Sequence, residues 1–250
     1  MAIITEDQIE QGIVQRLQFL YGYDALDCNT ADPADLNDGS NRADKREVIF
    51  HDRLKSAAVA LNPEIPESVI DAALRQVLDR RQTMTMVAAN RELEQLIRDG
   101  VRVEFRDARG RDRTDRVRLI DFTDPAGPDN HFLVVTQLWV QSTAAAARAR
   151  YRRPDILLYV NGLPLVFIEL KNSNIKLRTA FDDNLSNYKN DIPQLFLPNA
   201  LCVLSNGIET RVGSLTAEWE HFFHWLRPDD ESPRPIAHRG VHDLTPTAAA

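Results

Sequence analysis

The chain has 250 residues, 43% apolar and 27% charged, with 30 basic against 37 acidic side chains and a formal charge of −7. That composition excludes a fibrous or wholly disordered chain, and the acidic balance offers no global support for nucleic-acid binding. Two cysteines, Cys28 and Cys202, are too few for a disulfide scaffold and lack metal-ligand spacing. No apolar run reaches the roughly 18 residues of a bilayer span, and the N-terminus shows no basic region followed by an apolar one. The sequence therefore reads as a cytoplasmic chain without membrane contact.

In chain order, Thr5 and Gln8 form a capping-box pattern ahead of Ile9, Ile13, Leu17 and Leu20 at helical spacing, with Gly22 as the stop. Asp27 to Ser40, rich in Asp, Asn, Ala and Gly, reads as a loop. Val48 to Leu61 and Val69 to Leu78 continue the helical period, with Pro66 suited to a first turn. A fourth helix is expected over Arg91 to Arg98, closed by Gly100. At Val101 the period becomes alternating: Val101, Val103 and Phe105, then Val117, Leu119 and Phe122, with Arg106 to Asp115 as a charged hairpin loop. His131 to Val140 is β-rich. Ile156 to Val160, Leu165 to Leu170 and Ala200 to Ser205 read as buried strands. Thr179 to Asn190 and Ala217 to Leu226 read as helices, Asn206-Gly207 as a hairpin turn, and 228–250 as a loosely ordered tail. This describes one α/β domain over 1–227, with a helical N-terminal layer over about 1–100 and a sheet core over about 101–227.

The chemistry concentrates between Arg152 and Lys171. Asn161-Gly162 between two apolar runs is a hairpin signal, and the far ends of its arms carry Asp155 and Glu169. Side chains alternate faces, so Glu169 and Lys171 share one. Asp155 joins them only if the numbers of cross-strand partners sum to an even value. A two-residue loop gives an odd sum, so the sequence predicts a three-residue loop, Asn161 to Leu163, or a bulge that restores the phase. Two carboxylates at the mouth of a buried hairpin are costly unless paired or bound to a cation. A hard ion such as Mg2+ prefers carboxylate oxygens, and a lysine two residues on suits metal-assisted phosphodiester hydrolysis. The competing reading is a structural salt bridge between Lys171 and either acid.

These residues carry a resemblance. Pro154-Asp155 with Glu169-Leu170-Lys171 resembles the Pro-Asp…(Asp/Glu)-x-Lys signature of the PD-(D/E)xK nuclease superfamily. Arg152 to Asn172, Tyr188 to Phe196, Leu204 to Gly207 and Gly213 to Ala217 are similar to the N-terminal domain of the restriction (R) subunit of type I restriction–modification enzymes, as is Thr5 to Tyr23. The resemblance implies a restriction-endonuclease-like α/β fold, a mixed central sheet flanked by helices. It implies Mg2+, for which Mn2+ can substitute, held by Asp155, Glu169 and the main-chain carbonyl of Leu170, with Lys171 as the catalytic lysine. Glu10 on the first helix is the candidate for a further acid; an exposed first-turn acid favoured by the helix dipole is the alternative. The family's Gln-x-x-x-Tyr element reads Asn184-x-x-x-Tyr188 here, a departure that leaves the role of Asn184 open. Tyr188 is read either as contacting DNA or orienting Lys171, or as packed on the sheet.

Arg152 and Arg153 are candidates for DNA phosphate contacts, against a solvated loop. Six arginines from Arg106 to Arg118 form one basic cluster, and Arg148, Arg150, Arg152 and Arg153 a second. His221 and His224 lack a completing ligand set and are read as helix surface and core. No Gly-x-x-x-x-Gly-Lys-(Ser/Thr) loop is present, so ATP belongs only to the motor domain that the family implies downstream, towards which 228–250 would lead. The implied partners are double-stranded DNA and the modification (methyltransferase) and specificity subunits. The expected activity is Mg2+-dependent DNA cleavage with little intrinsic sequence specificity. The alternative is a catalytically silent nuclease-fold module that docks DNA or a motor subunit. A small-molecule hydrolase finds no Gly-x-Ser-x-Gly elbow.

Overall fold

The structure, a computed structural model, describes residues 3–81, 83–107, 109–143 and 150–225. Helix α1, Glu6–Tyr21, opens with the full capping box: Thr5 Oγ1 accepts from the Gln8 amide at 3.3 Å, and Gln8 Oε1 accepts from the Thr5 amide at 3.0 Å. It closes on Gly22, whose φ of 69° is the left-handed cap that favours glycine. Strand β1, Asp24–Asp27, follows at once where the sequence showed no strand pattern. Helices α2 (His51–Leu61), α3 (Glu67–Val77) and α4 (Met86–Asp99) complete the helical third. The last begins five residues before the expected Arg91, because Thr85 caps it through the Ala88 amide.

Strands β2 (Val101–Arg106) and β3 (Asp112–Val117) pair as a separate antiparallel ribbon. Asp112 to Asp115, expected in the hairpin loop, belong to the strand, whereas Leu119 and Phe122 lie beyond it. The ribbon buries Val101, Val103 and Val117 against α3 and α4, so it extends the helical layer and is not part of the central sheet. The β-rich run after His131 divides between β4 (Phe132–Thr136) and β5 (Val140–Gln141), the latter paired with β6 (Tyr151–Arg152). The hairpin follows as β7 (Ile156–Val160) and β8 (Leu163–Leu170).

The chain then runs through one helical turn α5 (Leu177–Thr179), a π-helical stretch Ala180–Leu185 and α6 (Ser186–Asp191). It returns as β9 (Leu201–Ser205) and β10 (Thr210–Gly213). Of the expected final helix over Ala217 to Leu226, the described part, to Trp225, forms instead a 3-10 turn, Trp219–His221, and β11, Phe223–His224, which pairs with β10. The Phe222 ring lies directly over Gly213, where a β-carbon would meet it at 2.6 Å, and the Trp225 amide bonds Thr210 O at 2.8 Å. The open edge of β10 thus takes up an aromatic segment whose residue types suit strands. The tail at 228–250 lies outside the described residues.

The central sheet has the order β1-β4-β7-β8-β9-β10-β11 and is mixed: β1 runs parallel to β4 and β8 parallel to β9, and the other neighbours are antiparallel. One face carries Val134, Ile156, Ile168 and Leu170 under Ile9, Ile13 and Leu17 of α1. The other carries Leu157, Tyr159, Phe167, Cys202 and Leu204 under Leu185, Tyr188 and Phe196. Among the described residues, no helix is long and apolar enough to cross a membrane.

Candidate active site

The site is built by the β7–β8 hairpin. Asn161 (φ 51°) and Gly162 (φ 82°) form a tight two-residue turn, with both residues in the left-handed region that a type I′ turn needs. Gly162 has no alternative, because a β-carbon there would lie 2.5 Å from Phe50 O. Val160 pairs with Leu163 and Tyr159 with Pro164, the odd-sum register of the short loop. Between Tyr159 and Leu158 the register shifts, and Leu158 pairs with Val166, Leu157 with Phe167 and Ile156 with Ile168. Leu165 is the extra residue, and the bulge restores the phase that the alternation argument required.

The consequence appears at the far end. Leu157 and Phe167 share the face under α6, so Asp155 and Glu169, two residues further along each arm, point the same way. Pro154 cannot donate to a ladder, and β7 begins only at Ile156. Asp155 continues the pairing with its side chain: its Oδ2 accepts the Leu170 amide at 2.7 Å, and its main-chain carbonyl accepts the Gln137 amide at 3.0 Å.

Glu169 is 2% exposed. Its Oε1 accepts from Lys171 Nζ at 3.2 Å and from Asn184 Nδ2 on the π-helical stretch, while Oε2 is buried with no partner among the described residues. Lys171 Nζ also donates to the Leu170 carbonyl at 2.8 Å. Burial, then the negative charge of Asp155, pushes the Glu169 carboxyl up to about 8; the contacts from Lys171 and Asn184 offset this only in part. Burial likewise raises Asp155 to about 6 against the opposing Leu170 hydrogen bond and the Lys171 charge. Two carboxyls held above their ordinary range with a single lysine between them form a site deficient in positive charge. Two carboxylates, one with an oxygen that no described residue engages, and a main-chain carbonyl are a donor set that suits a hard divalent ion. Among the described residues no group of three His, Cys, Asp or Glu side chains is gathered to hold an ion by side chains alone.

Residues 3–221 match the family described as the type I restriction enzyme R protein N terminus. The chain belongs to this family. It is 35% identical over 239 residues to the type I restriction enzyme HindI endonuclease subunit of Haemophilus influenzae, covering 92% of this chain and 21% of the relative. It is 32% identical over 235 residues to the putative type I restriction enzyme MjaIXP endonuclease subunit of Methanocaldococcus jannaschii, with the same coverage. A shorter match, 36% over 99 residues, joins it to the SsaAORF53P endonuclease subunit of Staphylococcus saprophyticus. The chain spans about a fifth of the length of these first two relatives.

In this R-protein N terminus the remaining sequence candidates fall into different places. Glu10 lies on α1, which packs on the sheet face opposite Glu169. Its Oε2 accepts from Gln137 Nε2 at 2.6 Å, and burial, with a further contribution from the charges of Asp155 and Asp27, raises its pKa. Glu10 therefore neighbours Asp155 from behind and is not brought to Glu169. Tyr188 packs edge-on against Phe167 at 5.5 Å and donates its hydroxyl to Arg153 O at 3.0 Å, which ties the segment just before Asp155 to α6. Asn184, one carbon shorter than the family's glutamine, still reaches Glu169. The two arginines are occupied: Arg152 pairs with Asp191, and Arg153 bonds Asn29 and stacks 4.9 Å from Trp139. His224 contacts Arg211 and Glu209 at the surface, and Arg148 lies outside the described residues.

The sequence missed Gln137 and Glu6. Gln137, with φ 56°, follows β4 and bridges Asp155 to Glu10. Glu6 accepts the Asn172 amide at 3.2 Å and adds negative charge near Asp155. Neither stands in a recognisable spacing; only the first-turn position of Glu6 in a helix with a known cap could have drawn attention to it.

Proposed function

We propose that this domain is the DNA endonuclease of a type I restriction R subunit, of PD-(D/E)xK type, acting on double-stranded DNA with Mg2+ and little intrinsic sequence specificity. The observation that carries the reading is the bulge at Leu165, which brings Asp155 to the face of Glu169 and Lys171, together with the unpartnered Glu169 Oε2. Asp155, Glu169 and the Leu170 carbonyl would hold the ion. When bound, Mg2+ activates water and neutralises phosphate charge. The chain's own residues do the rest. Lys171 Nζ, held by Glu169 and the Leu170 carbonyl, is a fixed donor for the negative charge that develops on phosphate oxygens. Asn184 and Lys171 share Glu169 Oε1, and among the described residues nothing engages Oε2. Glu169, 2% exposed, is shielded from bulk water. Modification and specificity subunits and an ATP-driven motor are the partners this reading expects in the intact assembly.

The test is relaxation of supercoiled plasmid by the chain in Mg2+ or Mn2+. Cutting is expected from wild type and is expected to vanish in chelator and in Asp155→Ala and Lys171→Ala. Cutting that survives either substitution, or none by wild type that binds the plasmid, refutes the proposal.

A further inference from the structure

A chain of net charge −7 repels a polyanion, so a nuclease built on it needs local cations beside the site. The arginines nearest in sequence, Arg152 and Arg153, are committed to Asp191 and to Asn29 and Trp139. A cleft of about 450 Å3 opens just past the ends of β8 and β9, lined by Ser173, Lys176, Arg178, Asn206, Arg211 and Trp219 among others. It adjoins the catalytic strand directly: Ser173 is two residues after Lys171, and Asn206 follows Ser205, whose carbonyl accepts the Lys171 amide at 2.9 Å.

Its cations are organised. Arg178 lies 5.4 Å and Arg211 4.3 Å from the half-buried Trp219 ring, so one indole holds two guanidinium groups. Arg178 pairs with Asp182 through Nε, which leaves the donors of its two terminal nitrogens, whereas Arg211 is held by Glu209, by the Phe222 carbonyl at 3.1 Å and by His224 at 2.8 Å. Lys176 is exposed, and among the described residues no ion pair engages it. A flexible lysine next to the pre-ordered guanidinium of Arg178 fits successive phosphates of one strand, because Arg offers bidentate donors and Lys a point charge. We propose that this cleft is a DNA-backbone subsite, in which Lys176 and Arg178 contact phosphates flanking the scissile one, with Arg211 and Trp219 ordering Arg178. The assignment rests on the nuclease reading of the site and names its substrate-holding surface.

The experiment is an anisotropy titration of a labelled duplex DNA with the chain in EDTA, repeated over a salt series. The variants are Lys176→Ala/Arg178→Ala and, as a distant control on the β2–β3 ribbon, Arg102→Ala/Arg106→Ala. All four side chains are exposed, so both proteins should unfold like wild type. The cleft variant is expected to bind about tenfold or more weakly, with the log–log salt slope smaller by about 2, one for each phosphate left without its cation. The ribbon variant is expected to stay within about twofold of wild type. An unchanged slope in the cleft variant, an equal weakening in the ribbon variant, or no binding by wild type overturns the subsite. Asp155→Ala keeps the two questions apart. If it and wild type bind alike and neither cuts with Mg2+, the nuclease reading fails while the cleft stands.

Discussion

Two buried ionic clusters in this chain have opposite design. In the first, Asp38 sits between Arg42 and Lys45, with side chains 0%, 1% and 3% exposed. Asp38 Oδ2 accepts from both cations, Oδ1 accepts from the Ser40 amide and hydroxyl, and Arg42 also bonds the carbonyls of Glu47 and Trp139. Burial alone would raise Asp38, but the bonds from Lys45, Ser40 and Arg42 outweigh it and hold the carboxyl well below the usual range. In the second, two acids share one lysine, one carboxylate oxygen has no partner among the described residues, and both carboxyls are raised. The first cluster is a clamp that fixes the segment between β1 and α2 against the strand region. The second is left short of positive charge, the condition expected where a cation and a substrate complete the structure.

The contrast breaks most sharply under mutation. Asp38→Ala leaves two cations buried without their acid and should cost about 3–5 kcal/mol in urea unfolding. Glu169→Gln should do the reverse. It removes the cost of keeping a buried carboxyl protonated in a deficient site, keeps an acceptor for Asn184, and should stabilise the metal-free chain by about 1 kcal/mol or more at neutral pH.

The second prediction separates the clusters by pH. Asp155 and Glu169 have raised folded values, so the folded chain binds more protons than the unfolded one between the ordinary 3.8 and about 6, and between 4.5 and about 8. Metal-free stability should therefore fall as pH rises through that window. Asp38 is depressed, so its contribution is present above the ordinary 3.8 and lost as pH drops below it. Melting temperatures from pH 4 to 8, extended to acid, should show both limbs, and Asp155→Asn/Glu169→Gln should flatten only the upper one. A smaller effect is expected at the surface: Arg46→Ala, in a pair with Asp44 at 41% and 35% exposure, should change unfolding free energy by less than about 0.5 kcal/mol.

The difference between the clusters also marks how far the sequence could be read. The second cluster was legible because its geometry is local. Asn161-Gly162 fixes the turn, alternation fixes the faces, and the odd register of a two-residue loop requires a bulge, found at Leu165. The capping box at Thr5 was legible for the same reason. The first cluster was hidden, because Asp38, Arg42 and Lys45 lie in and just after a polar stretch that reads as solvated loop, and only contacts with Trp139 and its neighbours bury them. Strand β1 was missed because four residues of mostly exposed sequence carry no period, and its parallel pairing with β4 comes from residues more than 100 positions away. The final helix failed on Trp219, Phe222 and Phe223, whose spacing suits a helix while the free edge of β10 offers a ladder. The place of Glu10 depended on which sheet face α1 covers, which its own pattern does not encode.

Completion of the second cluster by a divalent ion, as proposed above, is read out by calorimetric titration of Mn2+. Wild type should bind Mn2+ saturably and with release of protons, because the raised carboxyls must ionise to ligate. Asp155→Ala and Glu169→Gln should lose that binding while remaining folded. Equal heats in all three proteins, or none in wild type, would contradict the account and leave Asp155, Glu169 and Lys171 as a second structural cluster.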